Sequence, residues 1–117
     1  NLQYEEMLKD ALKESKQSKE ILSYIYKNKS SFTSDLSNEL IYRYPHKVIL
    51  VGREKGDEIK CSLRSSKVIL PPIVEELLKG MEGYGGGHEH ACGVCFKKKD
   101  SEIFLKKLKE LISKTMA

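Results

Sequence analysis

Apolar positions recur along this chain with two different periods, and the switch between them divides it into elements. From Leu2 to Lys29 they fall at Leu8, Leu12, Ile21, Leu22, Ile25 and Tyr26, a spacing that predicts one long helix. Its middle, Lys13 to Glu20, has nothing to bury, as in a helix that bridges two bodies. Ser30 to Ser34 forms a polar break. Thr33 or Ser34 then caps a helix running to Tyr44, with Leu36, Leu40, Ile41 and Tyr44 on one face. Pro45 stops it, because the residue before a proline is driven out of the helical region.

Beyond Pro45 the period changes. Lys47 to Glu54 holds four consecutive apolar residues bounded by charge, the pattern of a central strand covered on both faces. After the turn Lys55-Gly56-Asp57, residues Glu58 to Ser65 alternate, with Ile59, Cys61 and Leu63 on one face and Lys60, Ser62 and Arg64 on the other. Pro71-Pro72 opens a short helix whose buried stripe is Ile73, Val74, Leu77, Leu78 and Met81. A glycine-rich loop over 83–93 leads into a short strand, Val94 to Lys97. Asp100 or Ser101 caps a last amphipathic helix with Ile103, Phe104, Leu108, Leu111 and Ile112 facing inward. The pattern predicts an α/β fold: a small mixed β-sheet packed with helices, preceded by a long N-terminal linker helix. Residues 1–29 are assigned to that linker and 30–117 to the domain proper.

The length of 117 residues suits one modest core. An opening at Asn1, followed by a polar stretch, is read as a piece cut from a longer protein. No apolar run approaches the roughly 20 residues that span a bilayer, so no membrane partner is expected. The cysteines, Cys61, Cys92 and Cys95, are too few and odd in number for a disulfide framework. From these features a cytoplasmic location is expected. The net charge of +4 is unevenly spread: residues 43–67 and 97–117 each sum to +4, while 1–42 and 68–96 sum to −1 and −3. Brought together by folding, the two basic segments would attract a polyanion such as nucleic acid.

Composition demands a special explanation only in 83–93, where five of eleven residues are glycine. Consecutive glycines Gly85, Gly86 and Gly87 cost folding entropy, but they permit positive φ and leave backbone amides uncovered. Such amides can form a concave nest for phosphate, with His88 and His90 as flanking donors. Arg64 offers a planar fork of donors that grips phosphate bidentately. Of the tyrosines, only Tyr84 is assigned a role in stacking on bases.

These residues resemble a known family. Gly86-Gly87-His88-x-x-Ala91-x-Gly93 is similar to the GGHxxAxG signature of the DHH-associated domain, and Ser62-Leu63-Arg64-Ser65 is similar to the S-x-R-S strand that precedes it there. The resemblance implies the C-terminal substrate-binding domain of a DHH-family phosphoesterase, RecJ-like exonuclease or oligonucleotide phosphodiesterase in type. In that family the domain closes over a separate N-terminal catalytic domain whose Asp and His residues hold Mn2+ or Mg2+. By resemblance, Arg64, Gly86, Gly87 and His88 contact the phosphate or sugar of a single-stranded nucleic acid or short oligonucleotide, supported by Ser62 and His90. The chain itself is expected to carry no catalytic residue, metal or cofactor, since Asp10, Asp35, Asp57 and Asp100 are isolated. The parent protein is expected to be a metal-dependent hydrolase.

Two alternatives stand beside this reading. One is a tRNA-binding domain related to the C-terminal domain of alanyl-tRNA synthetases. The other is a small zinc-binding domain using His88, His90, Cys92 and Cys95, four ligand types within eight residues. A strand across 90–95 would point alternate side chains apart and argues against zinc. Cys92-x-x-Cys95 also has redox spacing, but a strand follows it where reactive pairs precede a helix.

Overall fold

The computed structural model describes all 117 residues. The elements are α1 (Leu2–Lys13), a 3-10 turn (Glu14–Lys16), β1 (Ile21–Lys27), α2 (Thr33–Arg43), β2 (Val48–Lys55), β3 (Glu58–Arg64), α3 (Leu70–Leu78), β4 (Gly83–His88), β5 (Ala91–Lys97), a 3-10 turn (Lys98–Asp100) and α4 (Ser101–Met116). The strands form one mixed sheet in the order β1-β2-β3-β5-β4, parallel between β1 and β2 and antiparallel elsewhere. An α/β fold with a mixed sheet and an N-terminal helix is therefore present.

The helix expected over Leu2–Lys29 is not continuous, and 1–29 is not a separate linker. The helix ends at Lys13, and Ile21–Lys27 is instead an edge strand whose Ile21 faces Val48 and whose Lys27 faces Glu54. The run Ile21-Leu22-Ser23-Tyr24-Ile25-Tyr26 is β-branched and aromatic, chemistry suited to a pleated surface, and its apolar positions satisfy either period. The polar middle is a break between elements rather than a bridge. Buried Lys47 fixes that break: its amine donates to the Ser15 carbonyl at 3.0 Å and to the Ser18 carbonyl, and so caps the end of the helical segment.

Two layers of helix cover the sheet unequally. On one face α3 and α4 bury Val48, Leu50, Ile59, Cys61, Leu63, Cys92, Val94 and Phe96, with Phe104 stacked on Phe96 at a centroid distance of 4.0 Å. Pro71 and Pro72 lie in the first turn of α3, where a missing amide hydrogen costs nothing. On the other face α1 and α2 pack Met7, Ala11, Leu36 and Leu40 against Leu22, Tyr26, Ile49 and Val51 of β1 and β2. Each such leucine contributes on the order of 1.5–3 kcal/mol by leaving water. Ile103, expected inward, is 61% exposed, because the stripe Phe104, Leu108, Ile112 sets the rotation of α4 and leaves it on the flank.

The loop expected over 83–93 is also a correction. Gly83–His88 is an edge strand, and Gly83 to His88 pair in register with Phe96 to Ala91. The connecting residues Glu89 and His90 keep negative φ, unlike the primed turns that match hairpin twist. Gly87 absorbs the mismatch with φ +149°, and a Cβ there would lie 2.5 Å from the Ala91 carbonyl oxygen.

Candidate nucleic-acid interface

The strand register lays the chemistry of this protein out in rows on the face that α1 and α2 share. One row runs Ile49, Arg64, Ala91, His88; the next Val51, Ser62, Gly93, Gly86; the third Arg53, Lys60, Cys95, Tyr84. The β2 end of the first two rows lies under α2, which also reaches over β3, whereas β5 and β4 carry no helix on this face. Side chains on this bare half are polar, small or absent. Gly93 and Gly86 form a floor without side chains: a Cβ on Gly86 would meet nothing within 4 Å, and one on Gly93 only the Cys61 carbonyl at 3.8 Å.

Arg64 and His88 stand two strands apart in one row, separated by Ala91, which at a strand spacing of about 4.8 Å leaves a gap of about 10 Å. Arg64 is half-buried and pre-set: its Nε donates to Asn38 Oδ1 of α2 at 3.0 Å, and its Nη1 donates to the carbonyls of Leu63 at 3.0 Å and Cys92 at 3.4 Å. Burial pulls its pKa below the usual arginine value. Its ion-pair partner is missing, since none of the salt bridges in the molecule includes it. A fixed, half-buried guanidinium without a carboxylate has the chemistry to pair with an external anion. His88 is exposed at the other end of that row. Ser62, a buried residue, stands at the β3 end of the glycine floor, in the same row as Gly93 and Gly86.

The other anticipated residues fall elsewhere. Gly85 and Gly87 alternate onto the opposite face, where a Cβ on Gly85 would approach Val74 of α3 at 3.1 Å. The concave nest of amides is not formed, because the glycines are extended and paired with β5; only amides directed away from β5 remain free along the sheet edge. His90 sits in the turn. Its carbonyl accepts from Ser65 N at 3.2 Å while the Glu89 carbonyl accepts from Leu70 N at 2.8 Å, which ties the turn to the start of α3. Ser65 has a structural role, its hydroxyl oxygen accepting from the amides of Lys67 and Val68.

The zinc ligand set does not converge: Cys92 belongs to the α3–α4 core while Cys95 lines the bare face. No three His, Cys, Asp or Glu side chains meet at a point that could hold a metal ion. Burial pushes the thiols of Cys61, Cys92 and Cys95 above the usual value, opposite to a reactive pair. At the far end of the sheet the basic segments meet through ion pairs, Lys97 with Asp57 at 3.0 Å and Lys98 with Glu54 at 2.5 Å, while Lys99 faces Glu82 at 3.9 Å. Asn38 was not foreseen, since nothing in the α2 pattern marks it as the residue that orients Arg64. Lys60 could have been found, as it precedes Ser62 by two residues on the same face.

Residues 20–114 match the family described as the DHHA1 domain. The chain belongs to the DHHA1 domain family. The match starts immediately before β1 and so includes that strand. The fold is similar to the C-Ala domain of Aquifex aeolicus alanyl-tRNA synthetase, with TM-score 0.69 and 24% identity over 80% of this chain and 90% of that one. It is similar to RecJ in complex with Mg2+ from Thermus thermophilus, with TM-score 0.69 and 16% identity over 94% of this chain and 17% of that one. It is also similar to PggH, a pGpG-specific phosphodiesterase from Vibrio cholerae, with TM-score 0.63 and 16% identity over 93% of this chain and 38% of that one. The DHHA1 chain thus spans less than half the length of the RecJ and PggH structures. No curated protein sequence matches it. No helix is long and apolar enough to cross a membrane.

Proposed function

We propose that this DHHA1 domain binds the phosphate backbone of single-stranded nucleic acid or a short oligonucleotide on its bare sheet half, on behalf of a catalytic domain in the same protein. The observation that carries the reading is Arg64, held by Asn38 and backbone carbonyls without a carboxylate, facing exposed His88 across a row that adjoins a side-chain-free floor. A guanidinium grips phosphate oxygens as a fork, while Gly86 and Gly93 let a sugar-phosphate lie close to the backbone. Ser62 and His88 add donors at the flanks. The names RecJ and pGpG-specific phosphodiesterase support a substrate with phosphodiester bonds. Mn2+ or Mg2+, expected in the catalytic domain, would activate the attacking water; the residues described here bind and orient the strand.

The test is titration of a 5′-phosphorylated tetranucleotide at low salt. Arg64→Ala is expected to weaken binding about tenfold or more, the loss of one charge-assisted contact worth roughly 1.5–3 kcal/mol. His88→Ala should give a smaller loss. Unchanged affinity in both variants would refute the reading. The likeness to C-Ala, which is matched over 90% of its length, favours tRNA binding as a second reading. It gains if folded tRNA binds much more tightly than the single strand and Arg64→Ala affects only the tRNA.

A further inference from the structure

Beside the Arg64–His88 row, the bare face continues into a groove of about 460 Å³ whose lining includes Thr33, Lys60, Tyr84, Gly86, Gly93 and Cys95. From the geometry of this groove we infer that Lys60 and Tyr84 form a second subsite, for the phosphate and base of a more distant nucleotide, so that the domain selects oligonucleotides over mononucleotides. This rests on the reading of Arg64 and His88 as the first phosphate site.

Lys60 and Tyr84 flank Cys95 in one row, a strand to either side, so a ligand between them rests on the buried Cys95 and the adjoining glycine floor. Lys60 is exposed and takes part in no ion pair, in contrast to Lys97, Lys98 and Lys99, each of which faces a carboxylate. Its charge is available to a phosphate. Tyr84 is 63% exposed and belongs to none of the aromatic pairs, which engage Tyr4, Tyr24, Tyr26 and Tyr44. Tyr84 pairs directly with Cys95 across β4 and β5, which sets it at the edge of the groove. Thr33, at the start of α2, also lines the groove. Such an arrangement, a cation beside a free aromatic ring over an open floor, stacks any base and neutralises the phosphate next to it.

Distance turns this subsite into a length gauge. Arg64 and Lys60 are four residues apart on an extended strand, about 13 Å, whereas stacked nucleotides rise about 3.4 Å each. A mononucleotide held at Arg64 cannot bring its phosphate to Lys60 as well.

The experiment compares the 5′-phosphorylated tetranucleotide with a nucleoside 5′-monophosphate, both titrated against the whole chain by NMR, which also reads millimolar binding. In the unmodified chain the tetranucleotide should bind more tightly. Lys60→Ala with Tyr84→Leu, which keeps apolar bulk but removes the ring, should weaken the tetranucleotide about fivefold or more and leave the monophosphate unchanged. Lys60→Ala alone should also lower the slope of log affinity against log salt by about 0.7. Equal weakening of both ligands, no weakening of either, or no preference for the tetranucleotide in the unmodified chain would overturn the subsite. Arg64→Ala separates the two ideas: if it weakens both ligands while the double variant weakens neither, the first site stands and the second falls. If it weakens neither, both fall.

Discussion

The face of the sheet shared by α1 and α2 is two surfaces joined along β3. Over β1 and β2 it is dry: Leu22, Ile49 and Val51 pack with Leu36 and Leu40, Leu22 and Ile49 in one row across the sheet and Val51 in the next. Over β3, β5 and β4 the rows of this face carry Arg64, Ser62 and Lys60, then Ala91 and Gly93, then His88 and Gly86. The pleat is common to both halves, and what differs is the side-chain chemistry and the helices packed on it. The covered half holds the fold together, and the bare half, polar and stripped of bulk, is where we propose that the ligand binds.

Substitutions that act on one half at a time should expose the difference. The largest effect is expected from Leu40→Ala, which empties a fully buried position under α2; a loss of about 2–5 kcal/mol should appear in denaturant unfolding. Gly87→Ala comes next, because a side chain at φ +149° and 2.5 Å from a carbonyl oxygen must distort the β4–β5 hairpin. A loss of about 1–3 kcal/mol is expected, with faster amide exchange confined to β4 and β5. Gly93→Val should sharpen the comparison most, since its Cβ has room. Stability should stay within about 0.5 kcal/mol, while oligonucleotide binding is blocked by the filled floor.

The smallest effect concerns the far end of the sheet. Lys98 holds the Glu54 carboxyl below its usual pKa of 4.5. A depressed folded pKa gives stability that is present above the unfolded value and lost as pH falls through the folded one. The stability difference between the unmodified chain and Glu54→Gln should therefore be level above about pH 4.5 and shrink on further acidification, as followed by thermal melts. A difference that persists undiminished at lower pH would show that Lys98 does not hold the carboxylate.

Much of this was legible in the residues. The continuous run of β2 announced a strand buried on both faces, and the alternation of β3 put Ser62, Arg64 and Lys60 together before any coordinates. The glycines and His88 announced a special segment but not its shape. Glycine permits so many backbone states that its presence does not select one, and here pairing with β5 chose the extended state over a nest. The first thirty residues misled for a related reason: six apolar positions fit a helix as well as a strand when one face is sampled sparsely.

Local chemistry, then, determined which segments are strands or helices wherever one period dominated, and which side chains share a face, because a pleat alternates regardless of surroundings. Tertiary structure alone decided that Ile21–Lys27 joins the sheet, that Asn38 fixes Arg64, and that His88 faces Arg64 across Ala91. Each of these depends on residues distant in sequence being brought into register, and register is a property of the paired strands, absent from either one by itself.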